Sequence, residues 1–322
     1  MSEFQVKVVR LGKVEKHPNA DTLGITQVHG GYPAIVKLGE LVEGDLAVYV
    51  PVDGVVPADD PRWAFLQGHN RVKAKKLRGI FSMGLLVKAD PGWTEGQDVQ
   101  EALKIKKYEP PEPLMTGGES ERCPFEFPKF TDIDGWRRYP DIIKDGEEVV
   151  LTEKTHGTSG RWAWAEDRLW CGSHREIKKE SMTSVYWKVA AQYGLGERLR
   201  DYPGIAFYGE VYGWVQDLRY GHTPGKVSLV LFDIMDLANR HWLNYDDFEK
   251  LAKKLNIPTV PVLYRGAWSK DVLKHAEGQT LLGGDHVREG AVIRPAKERF
   301  DERIQRVILK YHGEGYLLRK GG

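Results

Sequence analysis

The stretch Glu153-Lys154-Thr155-His156-Gly157-Thr158-Ser159 holds the residue types needed for covalent chemistry on a phosphate. A lysine amine is a nucleophile once deprotonated, and while protonated it is a compact charge for an oxyanion. Small residues follow it, Gly157 and Gly160 among them, and these let backbone N–H groups approach an anion closely. A free lysine has a pKa of about 10.4, so only roughly one in a few thousand is neutral at pH 7. Lys154 would therefore need nearby positive charge to act as a nucleophile, because such charge destabilises the ammonium form.

Five further segments carry chemistry-bearing residues: Ser173-His174-Arg175, Phe207-Tyr208-Gly209-Glu210, Leu231-Phe232-Asp233-Ile234, Glu289-Gly290-Ala291-Val292-Ile293-Arg294 and Leu309-Lys310-Tyr311. Singly, each has an ordinary reading: Phe232 as core, Glu210 and Glu289 as loop caps, Lys310 as a strand-end charge. Their order gives them a second one. Lys-x-x-Gly at 154–157 resembles motif I of the covalent nucleotidyltransferases, the polynucleotide ligases and capping enzymes. His156 narrows this. DNA ligases and capping enzymes place Asp before that glycine, whereas Glu-Lys-x-His-Gly-Thr resembles the phage nick-sealing RNA ligases, and the five later segments resemble their remaining motifs in order.

The resemblance implies ATP as cofactor and Lys154 as the residue that becomes adenylylated. Glu153, Thr155, His156 and Gly157 would complete the nucleotide-binding loop around it. Arg175 would contact ribose and phosphates, Glu210 the ribose, Phe232 would stack on the purine, and Lys310 would meet the α-phosphate. Glu289 would engage the metal and the lysine, and Glu210 is the second candidate ligand for Mg²⁺ or Mn²⁺. Two positions depart from the pattern. His312 stands where the family has a second lysine, and Ser159 where the phage-type enzymes have an asparagine that would serve the RNA end.

The elements that must position these residues are strands. Val149-Val150-Leu151-Thr152 predicts a strand delivering Lys154, and strands are also expected at Ile205–Val211, Val227–Ile234, Ala291–Ile293 and Val307–Leu309. A hairpin is expected from Arg161–Ala165 through Glu166-Asp167 to Arg168–Cys171, one helix over Ser181–Arg200, and another capped by Asn244 with Asp246 and Asp247 in its first turn.

Residues 5–90 read differently, as short strands (Val6–Leu11, Ala34–Leu38, Leu46–Pro51) between Gly30-Gly31, Gly39, Gly44 and Gly54, the spacing of a small closed β-barrel. The loop His17-Pro18-Asn19-Ala20-Asp21-Thr22-Leu23 resembles the opening of the tRNA-binding OB-fold domains attached to aminoacyl-tRNA synthetases. Farther on, Arg71-Val72-Lys73-Ala74-Lys75-Lys76-Leu77-Arg78-Gly79, if extended, puts Arg71, Lys73 and Lys75 on one face. With Lys76 and Arg78 they form a candidate RNA-backbone stripe, or else an edge strand protected by lysines. An OB-like domain ahead of the catalytic one resembles the Deinococcus-type RNA ligases.

The expected class is thus α+β. An OB-like barrel over 1–107 and a Pro/Gly/Ser-rich linker over 108–123 would precede a nucleotidyltransferase domain over 124–322, with ATP-grasp-like antiparallel sheets and helices. RNA, as nicked duplex or free ends, is the implied partner. A DNA ligase or capping-type enzyme, or an OB-fold RNA-binding protein without ligase activity, are the alternatives. In a chain of 322 residues, 41% hydrophobic and 29% charged residues exclude disorder and fibres. The net charge of +1 gives no global polyanion signal, so any nucleic-acid surface must be local. Cys123 and Cys171 lack metal-ligand spacing and are expected as thiols. No basic-then-apolar leader is evident at the N-terminus, which points to a cytoplasmic protein.

Overall fold

The computed structural model describes residues 4–108 and 119–319, and most of the expected 108–123 linker lies outside the described residues. The chain forms two compact units. The first comprises 1–110, and it also draws in 134–141 and 317–322, segments that the sequence reading assigns to the catalytic domain. The second comprises 111–133 and 142–316.

The first unit is built from short strands: β1 (Lys7–Arg10), β2 (Glu15–Lys16), β3 (Leu23–Val28), β4 (Tyr32–Lys37), β5 (Leu46–Val50), β6 (Gly54–Val55), β7 (Lys75–Leu77), β8 (Ile80–Ser82), β9 (Leu85–Lys88), β10 (Lys106–Lys107) and β11 (Asp134–Gly135). β1-β5-β9 and β2-β3-β4 are antiparallel sheets. Alternating residues of these strands fill the interior, with Val6, Val8, Val48 and Val50 in one cluster and Val9, Val36, Ala47 and Tyr49 in another. Successive residues of β1 and β5 point to opposite faces, and here each face meets its own cluster.

The second unit is two antiparallel sheets. One runs β14 (Arg168–Ser173), β13 (Thr158–Ala165), β15 (Ile205–Gly213), β16 (Val227–Asp236) and β17 (His241–Trp242). In the other, β22 (Leu309–His312), β19 (Gly290–Pro295), β12 (Glu148–Glu153) and β18 (Val262–Ala267) lie side by side. A small hairpin, β20 (Phe300–Asp301) with β21 (Gln305–Arg306), precedes β22. β12 is flanked on both sides, and Val149, Val150 and Leu151 are fully buried, which is why its sequence is apolar without alternation. The predicted hairpin is present: Glu166 and Asp167 both have positive φ (48° and 56°), as a two-residue turn between twisted strands requires.

Three expectations change. The helix over 181–200 is two pieces, α1 (Val185–Gln192) and α2 (Leu195–Leu199), because Gly194 takes φ 58° and interrupts the ladder. Asn244 does precede α3 (Tyr245–Lys254), but its side chain accepts from Glu298 N–H (2.9 Å) and does not cap its own helix. The strand expected at 307–309 begins only at Leu309, since Ile308 N–H turns back to Arg306 O. A last short helix, α4 (Glu314–Leu317), follows β22. Both cysteines are free thiols, and among the described residues no helix is long and apolar enough to cross a membrane.

Candidate active site

β12 carries the chain to Glu153, and Lys154 extends its ladder by one more bond, its N–H donating to Gly290 O (3.0 Å). The lysine is thereby fixed at the edge of a cleft between the two sheets of the second unit. The cleft has a volume of about 230 Å³ and opens to solvent at its mouth. Its wall includes Phe130, Glu153, Lys154, Thr155, Ser159, His174, Glu210, Phe232, Arg294 and Lys310. The strand register explains the grouping. Thr152 pairs with Val292 and Val292 with Lys310 in one sheet, while Ser159 pairs with Glu210 in the other.

Lys154 Nζ lies 2.9 Å from Glu289 Oε1. The same carboxylate meets His156 Nδ1 (3.3 Å) and His312 Nε2 (3.2 Å). Burial penalises the Glu289 carboxylate, but the Lys154 charge and the two imidazoles outweigh it and hold its pKa well below the usual range. Burial likewise disfavours the Lys154 ammonium, yet Glu289 and Glu210 overcome this and its pKa is raised. The expectation that neighbouring cations depress Lys154 is therefore not met, because the two carboxylates dominate the field around it. Glu210 is pushed up to about 8 by burial, against the pull of Lys154. His156 goes the other way. Burial lowers its pKa, but Asp217 and Glu289 together raise it to about 9.

The remaining sequence candidates divide. Glu153 reaches the cleft wall, but its carboxylate already accepts from the Thr280 hydroxyl (2.5 Å) and from Leu281 N–H (2.8 Å), holding that loop. Gly157 is required by space, because a Cβ there would lie 2.1 Å from Val211 O. Phe232 stands in the cleft with Phe130 edge-on to it (4.6 Å, 62°). Behind it, Asp233 is fully buried and meets Arg294 (3.2 Å) and Arg306 (2.6 Å), and Glu298 meets both arginines (2.5 and 2.8 Å). That network ties β16 to β19 and β21 and fixes the Phe232 backbone; removal of any one member would leave buried charge uncompensated. Arg175 is exposed on the turn after β14, and it is His174 that lines the cleft. His312, where a lysine was expected, serves Glu289, and burial lowers its pKa.

Sequence reading missed Phe130, Gln216, Asp217, Tyr220 and Tyr316. Gln216 donates to Gly157 O, and His156 N–H donates to Tyr220 OH (2.7 Å). Gln216, Asp217 and Tyr220 lie in the mixed stretch 214–220 after the Glu210 strand, which carries no local signal for them. Nothing in spacing or composition marked Phe130 or Tyr316.

A divalent cation fits the donor set. Glu210 and Glu289 both act on Lys154, and burial with the neighbouring Glu289 pushes Glu210 toward its neutral form against the pull of Lys154 and His156. Among the described residues no group of three His, Cys, Asp or Glu could hold a metal alone. A hard cation here would take two carboxylates and complete its shell with phosphate and water oxygens, the usual habit of Mg²⁺.

In the first unit the stretch 71–79 is only partly a strand. Arg71 is half-buried, pairs with Asp53 (2.8 Å) and stacks on Tyr108 (3.6 Å), so it does not belong to an open phosphate-contacting stripe. Val72 and Ala74 point inward and Lys73 outward. Lys75 and Lys76 are exposed on β7, and Arg78 with Gly79 (φ 44° and 89°) makes the tight turn into β8. The loop 17–21 braces this hairpin from behind. His17 Nε2–H donates to Leu77 O (3.1 Å), its Nδ1 accepts from Asn19 N–H (3.0 Å), and Asn19 Nδ2 donates to Arg78 O (3.0 Å).

Comparison with known proteins agrees with this geometry. Over nearly the whole chain the fold is similar to an RNA ligase of Naegleria gruberi solved with AMP and Mn (TM-score 0.84, 23% identity, 98% of each chain). The forms solved with pyrophosphate (TM-score 0.83, 24% identity, 98% of each chain) and with ATP and Mn (TM-score 0.82, 23% identity, 97% of this chain and 98% of that one) are equally close in fold. A curated relative, the phenylalanine–tRNA ligase beta subunit of Symbiobacterium thermophilum, is 33% identical over 120 residues; the match spans 32% of this chain and 13% of the relative. An OB-fold domain model matches residues 5–89. The RNA ligase family model matches residues 147–312, just over half the chain and every element of the cleft around Lys154 from β12 to β22, and the protein belongs to the RNA ligase family.

Proposed function

We propose that this RNA ligase uses ATP to form a lysyl-adenylate on Lys154, transfers the adenylate to an RNA 5′-phosphate and seals it to a 3′-hydroxyl, at nicks in a duplex. The observation that carries the proposal is the placement of Lys154 Nζ, 2.9 Å from Glu289, in a cleft whose other walls offer Glu210, Phe232 and Lys310. The Naegleria gruberi relatives solved with ATP, AMP and pyrophosphate support the same nucleotide chemistry.

Phe232 would stack on the purine and Lys310 would neutralise the α-phosphate as pyrophosphate leaves in line. The proton that Lys154 sheds has two acceptors at hand: Glu289, and the more basic Glu210. Glu210 and Glu289 would hold Mg²⁺ or Mn²⁺, which would supply positive charge against the phosphates. Forming the Nζ–P bond while the α–β P–O bond breaks stores the adenylate on the enzyme. A 5′-phosphate oxygen then displaces the lysine, and a 3′-hydroxyl displaces AMP. The OB unit, with Lys75, Lys76 and Arg78 exposed on its hairpin, would hold the RNA backbone, and Ser159 would meet the RNA end at the cleft.

Incubation with α-³²P-ATP and Mg²⁺ or Mn²⁺, followed by denaturing electrophoresis, tests this. Acid-labile label is expected on the wild type and none on Lys154→Ala, with GTP a poor competitor. Label persisting on Lys154→Ala would sink the assignment. A nicked RNA duplex bearing a 5′-phosphate tests the sealing step.

A further inference from the structure

His156 is gripped from both sides by residues that lie outside the Lys154, Glu210, Phe232, Glu289 and Lys310 segments. Its Nε2 meets Asp217 Oδ1 at 2.7 Å, from the loop after β15. On the other side, Nδ1 lies 3.3 Å from Glu289 Oε2 and 3.2 Å from the hydroxyl of Tyr316, which α4 supplies. Tyr316 also stacks on His312 (6.0 Å, 17°), the other imidazole on Glu289. The helix that carries Tyr316 is itself anchored, because Glu277 accepts from Glu314 N–H (2.7 Å) and Gly315 N–H (3.4 Å).

From this geometry we infer that Asp217 and Tyr316 are positioning residues, which hold the His156 ring so that it orients Glu289 against Lys154. The inference rests on the proposed lysyl-adenylate chemistry and adds two residues to it. The Glu289 carboxylate has two oxygens and three partners, so its rotation decides whether Lys154 is aligned. A ring held at one nitrogen only can swing. Held at Asp217 and Tyr316 together, it cannot swing without breaking a hydrogen bond on either side. Effects of a slack supporting shell on a reacting group are large for small displacements.

The test is single-turnover labelling with α-³²P-ATP on Tyr316→Phe, which removes only the hydroxyl, and on Asp217→Asn and Asp217→Ala. A misplacement of about 1 Å in a reacting constellation costs on the order of a hundredfold in rate, and a fraction of that shift roughly tenfold. Tyr316→Phe and Asp217→Ala should therefore lose roughly that factor, with half-saturating ATP and Tm unchanged. Asp217→Asn, which keeps an acceptor oxygen, should recover part of the loss. In a His156→Ala background neither substitution should cost anything further, since both act through the ring. Wild-type rates in the single variants, or full additional losses in that background, would overturn the inference. A fall in Tm together with weaker ATP binding would assign them a merely structural role and overturn it as well. Absence of label on the wild type would instead defeat the proposed function itself.

Discussion

Gly157→Ala removes nothing from the site and adds a single methyl, and we expect it to be among the most damaging substitutions in the chain. The added carbon would stand 2.1 Å from Val211 O and 2.9 Å from Val211 C. Real contacts of this kind are about 1 Å longer, so the loop and β15 must part by roughly that amount. The neighbouring pairs of the β13–β15 ladder are Thr158 with Val211 and Ser159 with Glu210, so the opening falls directly on the strand that presents Glu210. Overpacking of this size costs about 1–3 kcal/mol, or roughly 2–10 °C of Tm in a unit of this size. A displacement of about 1 Å at a reacting constellation costs on the order of a hundredfold in rate. Differential scanning fluorimetry and single-turnover labelling with α-³²P-ATP read the two effects. Gly196→Ala is the control, because it lies in α2 with nothing within 4 Å of the added carbon, and should be neutral or slightly stabilising. Gly157→Ala with the Tm and labelling rate of the wild type would refute the spatial argument for that glycine.

Phe232→Ala should raise half-saturating ATP by roughly 5- to 150-fold with a smaller effect on the limiting rate, since base–aromatic stacking is worth about 1–3 kcal/mol; an unchanged half-saturation would remove Phe232 from the nucleotide site. Folded Glu210 has its pKa raised to about 8, above the unfolded value of 4.5, so the folded state binds the extra proton and stability falls as pH rises from 4.5 through 8. Glu210→Gln should accordingly gain Tm relative to the wild type across that interval, as thermal melts from pH 5 to pH 9 without divalent metal would show; a constant difference would contradict it. Mn²⁺ or Mg²⁺ should raise the Tm of the wild type at pH 8 and do so less for Glu289→Gln, which keeps the shape but not the charge; equal shifts would place the metal elsewhere. Replacing Lys75, Lys76 and Arg78 by Ala should weaken RNA binding and flatten its salt dependence by about 0.7 per lost phosphate contact, with self-adenylylation unaffected; an unchanged slope would clear the hairpin of RNA contact.

The parts of the site that were legible in the sequence are those whose chemistry and strand periodicity coincide. Lys154 follows a buried β-branched run, Glu210 interrupts an otherwise apolar strand, and Phe232 and Lys310 sit on strands that face one cleft. The residues that escaped sequence reading act across space with no local rule to mark them. Tyr316 belongs to a four-residue helix 160 positions from its partner His156, and Asp217 lies on an irregular loop. Arg175 lies at the surface and not on the cleft wall for a different reason. A tight turn stabilised by the Ser173 hydroxyl turns the chain so that the adjacent His174 takes the cleft wall. The basic stretch misled by composition. Arg71 is cationic like its neighbours, but Asp53 lies 2.8 Å away and satisfies it. His17 and Asn19 belong to the loop that resembles tRNA-binding OB-fold domains, and their side chains donate to carbonyls of the hairpin behind them.

The first unit is not a continuous piece of chain. Gly135 packs where its Cβ would lie 2.8 Å from the Tyr32 hydroxyl, Arg138 donates to Gln5 (3.1 Å), and Leu317 and Leu318 pack with Phe81 and Met83. A protease or a primer pair cutting once near residue 110 would therefore yield no intact OB module, because its missing side chains lie 25 and 200 residues farther on. Modular transplantation of this unit onto another enzyme would need four cuts, and a library of simple truncations would score the module as unfoldable when it is merely incomplete. Along the sequence the two units alternate, with 111–133 and 142–316 each falling between segments of the first, so that the chain leaves and re-enters that unit twice.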